Sequence, residues 1–305
     1  MAKSTVRALV LIAATLVSSC AFAARGTYDR QVSAPAGGHL RFRTDVGSVT
    51  VVGTSGSNVV VHADLEGPKS YLSRIRITTE RTPSGVTVSA HEPSSGWFDW
   101  FDWFGFGWHR VRFTVQVPSD YPVDVRTSGG DLTVRNVSAA VRGATSGGGV
   151  EAENITGTVD LHTSGGSVDA QHLTGAARLS TSGGNVQVED STGNLDLRTS
   201  GGDIRMRNDD GQVRAVTSGG DISAQLRSNQ GITLKTSGGD ITLRLPQDMH
   251  ASIEARSSGG GITSDFPLST GRIQSGDFLQ GTVGGGGPPI TLDTSGGDIQ
   301  IEPIR

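Results

Sequence analysis

At 305 residues, with 44 glycines and 5% aromatic residues, the chain can form one elongated domain or two compact ones, built from many tight turns and small side chains. Glycine does not recur at every third position, which excludes a collagen helix, and the single cysteine excludes disulfide stapling. The formal charge is -4, with acids and bases interleaved rather than gathered into a basic stripe, so nothing here predicts a nucleic-acid partner.

The first residues read as an export signal spanning 1–20 or 1–23. Lys3 and Arg7 give a positive start, and residues 8–17 form an apolar run too short for a permanent membrane anchor. Two processing readings compete. Val17-Ser18-Ser19-Cys20 resembles a bacterial lipobox, which makes Cys20 a lipidated first residue; Ala21-Phe22-Ala23 instead fits small-x-small cleavage and leaves a soluble product without cysteine. Removing a leader through Cys20 takes away two bases and no acid, moving the formal charge from -4 to -6. The expected location is the exported bacterial cell envelope: periplasmic, surface-associated or lipid-anchored.

Residues 26–120 predict an irregular N-terminal β cap or early solenoid. Leu40, Phe42 and Thr44 alternate with Arg41 and Arg43, and Val111, Phe113, Val115 and Val117 alternate with polar residues before Pro118. Pro68 and Gly67 mark a turn within 65–73. Between two such strands lies the aromatic insert 97–108, which contains all 4 tryptophans and much of the phenylalanine.

From Thr127 the tetrapeptide Thr-Ser-Gly-Gly returns at Thr145, Thr163, Thr181, Thr199 and Thr217, then at Thr236 and Thr294, with a Ser-Ser-Gly-Gly variant at Ser257. The commonest spacing is one coil of a stacked β solenoid and too short for a helical hairpin. One aliphatic column runs Leu132, Val150, Val168, Val186, Ile204 and Ile222, with Val134, Ala152, Ala170, Val188, Met206 and Ala224 two residues on. Side chains of a strand alternate, so both columns face inward and Glu151, Asp169, Gln187 and Arg205 face water. A second strand supplies Val141, Val159, Ala177, Leu195, Val213 and Ile232, preceded by a glycine corner at Gly157, Gly175, Gly193, Gly211 and Gly231. The predicted fold is therefore all-β, a single-stranded β-helix or flattened β-solenoid of approximately 18-residue coils, regular over 121–260 and continued over 261–305 by decorated terminal coils. Residues 272–280 read as one strand of that decoration.

These repeats, together with Val111–Pro118 and the segment 121–134, resemble the bacterial "putative adhesin" family of β-strand repeats over residues 111–301. That resemblance implies the repeat architecture and an adhesin-like role, and transfers no catalytic or receptor-binding residue. The insert is not required by the repeat.

Candidate sites follow from residue chemistry. Trp97, Trp100, Phe101, Trp103, Phe104 and Trp108 combine large apolar rings with polar edges, which suits either contact with a partner or a lid over the first coil. The partners considered are an envelope protein or glycan, peripheral membrane contact, and a second copy of the chain. Calcium β-rolls need denser glycine and aspartate, so Asp131, Asp203, Asp221, Asp240 and Asp298 read as turn-forming or solvated acids. The 7 histidines lack zinc spacing, and no serine sits on a nucleophile elbow. The outward column Arg142, Asp160, Arg178, Asp196 and Arg214 alternates in sign, which favours cross-coil attraction over a pair of catalytic acids. The sequence therefore predicts a noncatalytic envelope-binding scaffold without a cofactor, with a self-assembly module as the alternative and a glycan-processing enzyme as a more distant one.

Overall fold

The structure is a computed structural model and describes residues 24–92 and 109–304. It is all-β, with two parallel-rich sheets that do not close on themselves, and divides into two compact units, 1–148 and 149–305.

In the first unit the strands are β1 (Ala24–Ser33), β2 (His39–Thr44), β3 (Ser48–Thr54), β4 (Asn58–Gly67), β5 (Arg76–Thr82), β6 (Gly85–His91), β7 (Arg110–Pro118), β8 (Val123–Thr127), β9 (Leu132–Val137) and β10 (Val141–Thr145), with a one-turn helix α1 (Lys69–Leu72) after β4. One sheet runs β1-β4-β7-β3-β9, the other β5-β6-β2-β8-β10. The pair β2/β3 forms a coil flanked in parallel by β8/β9 on one side and β6/β7 on the other. Beyond β6/β7 the pairing turns antiparallel, with β4 on β7, β1 on β4 and β5 on β6. Phe42 and Phe113 meet edge to face across the core at 5.2 Å, both fully buried. Two differences from the sequence reading stand out. The segment 65–73 is not a simple turn, because β4 continues through Gly67 before α1 starts behind Pro68. The stacking order also departs from chain order, since β6/β7 lies outside β2/β3 although it comes later.

In the second unit each coil gives one strand to each sheet. The first sheet takes β11 (Val150–Thr156), β13 (Val168–Thr174), β15 (Val186–Glu189), β17 (Ile204–Asp209), β19 (Ile222–Leu226), β21 (Ile241–Leu245), β27 (Ile299–Pro303) and β23 (Ile262–Ser264), in that spatial order. The second takes β12 (Val159–Thr163), β14 (Ala177–Ser180), β16 (Leu195–Arg198), β18 (Val213–Val216), β20 (Ile232–Lys235), β26 (Pro289–Thr294), β22 (Ala251–Ser257), β25 (Phe278–Val283) and β24 (Ser269–Ser275). Val150, Val168, Val186, Ile204, Ile222, Ile241 and Ile299 stand in register, all at most 1% exposed, so the predicted inward column is the core. Each such side chain contributes roughly 1.5–3 kcal/mol only because its neighbours cover it. The terminal coil β26/β27 is not the outermost: it slots between β20/β21 and β22/β23. The predicted strand 272–280 is instead the antiparallel hairpin β24/β25.

The corners explain the motif. Thr199 Oγ1 donates to the Gly184 carbonyl of the preceding coil at 2.7 Å and accepts the Gly202 N–H of its own turn at 3.3 Å. The same pair of bonds recurs at Thr145, Thr181, Thr217, Thr236 and Thr294. These threonines are buried, as the inward alternation requires. Thr199→Val keeps the shape and removes the hydroxyl, so we expect a loss of about 1–2 kcal/mol in urea unfolding, with Thr199→Ser milder. Equal stability of Thr199→Val and the native chain would show that the ladder is decorative. The opposite corner carries a second column, Asn136, Asn154, His172, Asp190 and Asn208, whose φ values of 53–60° are left-handed. Asn, Asp and His tolerate that region better than other side chains.

Candidate functional site

Trp97, Trp100, Phe101, Trp103, Phe104, Trp108 and Cys20 lie outside the described residues. The structure does place the frame that carries the aromatic segment. Thr44 pairs with Ala90, and Ser48 with Arg112, so the three residues 45–47 that lead from β2 into β3 have the 21 residues 91–111 as their counterpart along the chain from β6 into β7. Residues 45–47 take the same corner that Thr-Ser-Gly-Gly occupies after β8, because Thr44 also pairs with Thr127.

Both ends of that connection are held. At the outgoing end His91 Nδ1 lies 2.7 Å from Asp45 Oδ2, and Arg74 Nη2 lies 2.9 Å from Glu92 Oε1. At the returning end the His109 ring stacks on Tyr71 of α1 at 4.2 Å and 32°. The Arg74 guanidinium also sits 5.8 Å from the Tyr71 ring centre, a cation-π contact. The Tyr71 hydroxyl is pushed up to about 12, chiefly by burial and then by the Glu92 charge, so this ring stays neutral around pH 7. Beside the returning end, β1, β4 and β7 place Arg25, Glu66 and Arg110 in one row, with Arg25 2.9 Å from Glu66. Farther along β4, His62 bridges Asp29 of β1 at 2.6 Å and Asp64 at 3.2 Å. The bond to Asp29 raises its pKa against the opposing effect of burial. The contacts that hold the two ends join residues far apart in the chain, Asp45 with His91 and Tyr71 with His109, so the residue pattern of the insert carries no trace of them.

The acids sort into structural and surface roles. At the corners each carboxylate caps the next coil: Asp203 Oδ1 accepts the Asp221 N–H at 3.0 Å, and Asp221, Asp240 and Asp298 continue the series at 2.7–2.8 Å. On the second sheet, burial acts to raise Asp196, but Arg198 and Arg178 outweigh it and hold the carboxyl below its ordinary value. That is the opposite of what a general acid needs. On the first sheet Glu151 and Asp169 stand in register, and burial plus the Glu151 charge raises Asp169. Both side chains lie exposed on the open sheet face. His162 is likewise exposed on its strand, 3.0 Å from Ser180 Oγ.

Sequence reasoning missed Asp209. It is fully buried and pushed up to about 7, mainly by burial, with the Ser191 N–H bonded to one oxygen at 2.8 Å. Its second oxygen has no hydrogen-bond partner. The signal was present in the repeat: Val137, Ile155, Leu173 and Ser191 precede Asp209 in one 18-residue column just after the left-handed corner residue.

Among the described residues no helix is long and apolar enough to cross a membrane. No curated protein matches the chain. Three crystal structures are similar to it in part. A "putative cell adhesion protein" from Clostridium sporogenes is 13% identical, with 91% of this chain and 100% of that one covered at a TM-score of 0.29. A "putative adhesin" from Bacteroides fragilis is 14% identical, with 91% and 97% covered at 0.38, and one from Parabacteroides distasonis is 9% identical, with 91% and 97% covered at 0.26. The Toastrack DUF4097 family profile matches residues 39–302, which takes in the coils of both units, and the chain belongs to that family.

Proposed function

We propose that the protein is an exported, noncatalytic and adhesin-like binding scaffold of the bacterial cell envelope, with the aromatic segment of the β6–β7 corner as its contact element. The observation that carries this reading is the expansion of one connection from residues 45–47 to residues 91–111, clamped at both ends by α1 and Asp45. The neighbouring end of the core has its own closure: the Tyr28 hydroxyl of β1 donates to Thr79 of β5 at 2.9 Å, and Tyr28, Ile75 and Ile77 are buried there. Trp97, Trp100, Phe101, Trp103, Phe104 and Trp108 therefore serve contact with an envelope protein or glycan rather than sealing of the first coil.

Peripheral membrane contact is a second reading, favoured by the row Arg25–Glu66–Arg110. The chain enters β1 at Ala24, two strands away from the point where the aromatic segment returns. A lipid on Cys20 would lie within roughly 14 Å of β1, at about 3.5 Å per extended residue. The start of β1 and the start of β7 stand in one row, and tryptophan favours the membrane interface.

The test is co-sedimentation of the exported chain with purified cell-wall sacculi and, separately, with lipid vesicles. We expect Trp100→Ser/Trp103→Ser/Trp108→Ser to lower capture on one of the two supports at least tenfold while leaving Tm unchanged. Unchanged capture on both supports would remove the contact role. A mass that rises with concentration in the native chain and not in the variant would replace it with self-assembly. Intact mass of the membrane fraction decides lipidation of Cys20.

A further inference from the structure

We infer that the trough along the second sheet of the 149–305 unit is a binding site for an extended acidic polysaccharide with one carboxylate on every second sugar. The proposal rests on the envelope reading only for the class of partner; its site is separate from the aromatic corner.

The trough has a volume of about 560 Å³ and crosses β12, β14, β16, β18 and β20 at the start of each strand. Its floor is the chain over the buried residues Val159, Ala177, Leu195 and Val213. The smaller side chains of Ala176 and Asn194 line one side, and Asp160, Arg178, Asp196 and Arg214 the other. Those four charges stand in strict register, one per coil.

Spacing selects the ligand. Parallel strands repeat about every 4.8 Å, whereas the side chains on one face of an extended peptide recur about every 6.6 Å and fall out of step with the coils. A β-linked pyranose chain advances by close to one coil per ring. The two arginines are two coils apart, about 10 Å at that repeat, the distance between alternate sugars.

The ion pairs leave these arginines available. Asp196 is held by Arg198, whose Nε and Nη2 reach its two oxygens at 2.9 and 3.1 Å. Arg178 shares Asp196 through the longer contact, Nε to Oδ2 at 3.4 Å, and its side chain is 66% exposed. Arg214 makes no ion pair among the described residues. Two exposed guanidiniums at a fixed separation suit bidentate binding of carboxylates, while Asp160 and Asp196 can accept hydroxyl hydrogen bonds from the intervening rings. Asp196 is held ionised by its arginine neighbours, which keeps both of its oxygens as acceptors.

The experiment is calorimetric titration of the exported chain with hyaluronan oligosaccharides, which carry one carboxylate per disaccharide, against neutral chitin oligosaccharides of equal length. We expect binding of the first and not the second, weakening with added salt. Arg178→Gln/Arg214→Gln should weaken it at least tenfold at unchanged Tm. The aromatic triple variant should bind the oligosaccharide as the native chain does, so failure of the corner reading leaves this result intact. Absence of hyaluronan binding, equal binding of the neutral oligosaccharide, or full binding by the double arginine variant would overturn the proposal.

Discussion

Gly202→Ala is expected to destabilise the second unit by about 3 kcal/mol or more, whereas Gly201→Ala, one residue away, is expected to be close to neutral. The two glycines share a turn and differ in what lies beneath them. A methyl on Gly202 would lie 2.5 Å from the Gly184 carbonyl carbon and 2.7 Å from Asn185 Oδ1, and closer still to the Gly184 carbonyl oxygen. Those atoms are fixed backbone, or a side chain already accepting the Asp203 N–H, so nothing can swing aside. Relief would require parting two coils, which stretches the Thr199 bond to Gly184 and the strand ladders on either side. A methyl on Gly201 meets nothing nearer than the Gly183 oxygen at 3.5 Å, an ordinary contact. Replacing that glycine also restricts the unfolded chain, worth about 0.4–1 kcal/mol in favour of folding. Urea unfolding of the two variants at one pH decides the matter. Equal costs would mean that the fourth residue of Thr-Ser-Gly-Gly is not glycine for reasons of coil contact.

That contrast shows what the repeat could reveal. Columns such as Val150, Val168 and Val186 were legible because a buried position recurs once per coil and a strand has only two faces. The corner threonines followed from the same alternation. What periodicity cannot encode is which coil lies beside which. A parallel rung presents the same ladder to any neighbour, so β6/β7 can stand outside β2/β3, and β26/β27 inside β22/β23, with no mark in the local sequence. The clamps around the aromatic segment were hidden for a related reason: Tyr71 with His109, and Asp45 with His91, are joined only by folding. The left-handed column is legible in the sequence, since Asn136, Asn154, His172, Asp190 and Asn208 recur at coil spacing with residue types that tolerate positive φ. Recognising it would have turned the next residue inward and exposed Asp209 as the anomaly of its column.

Asp209 should make the stability of the second unit depend on pH, and in the direction opposite to ordinary acid denaturation. Its carboxyl rises from an ordinary 3.8 to about 7 on folding. Between those values the folded chain binds the proton more tightly than the unfolded chain, so stability falls as pH rises from about 4 to about 7 and is level above. At 1.36 kcal/mol per unit the full effect is about 4 kcal/mol, an upper bound for one buried group. Burial raises it and dominates; the backbone N–H groups of Ser191 and Arg207 favour the ionised form, Asp190 raises it further and Arg227 opposes. Asp124 and Asp196 are shifted downward and give the reverse dependence, so the native profile alone is ambiguous. The difference from Asp209→Asn is not, because those groups cancel in it. Asparagine keeps an oxygen for the Ser191 N–H and places an amide where the unpartnered carboxylate oxygen stood. We therefore expect Asp209→Asn to match the native chain near pH 4 and to exceed it by about 2–4 kcal/mol at pH 8, read from urea midpoints across that range. Parallel profiles for the two proteins would mean that Asp209 ionises in the folded chain as freely as in water, and that the corner enclosing it admits solvent.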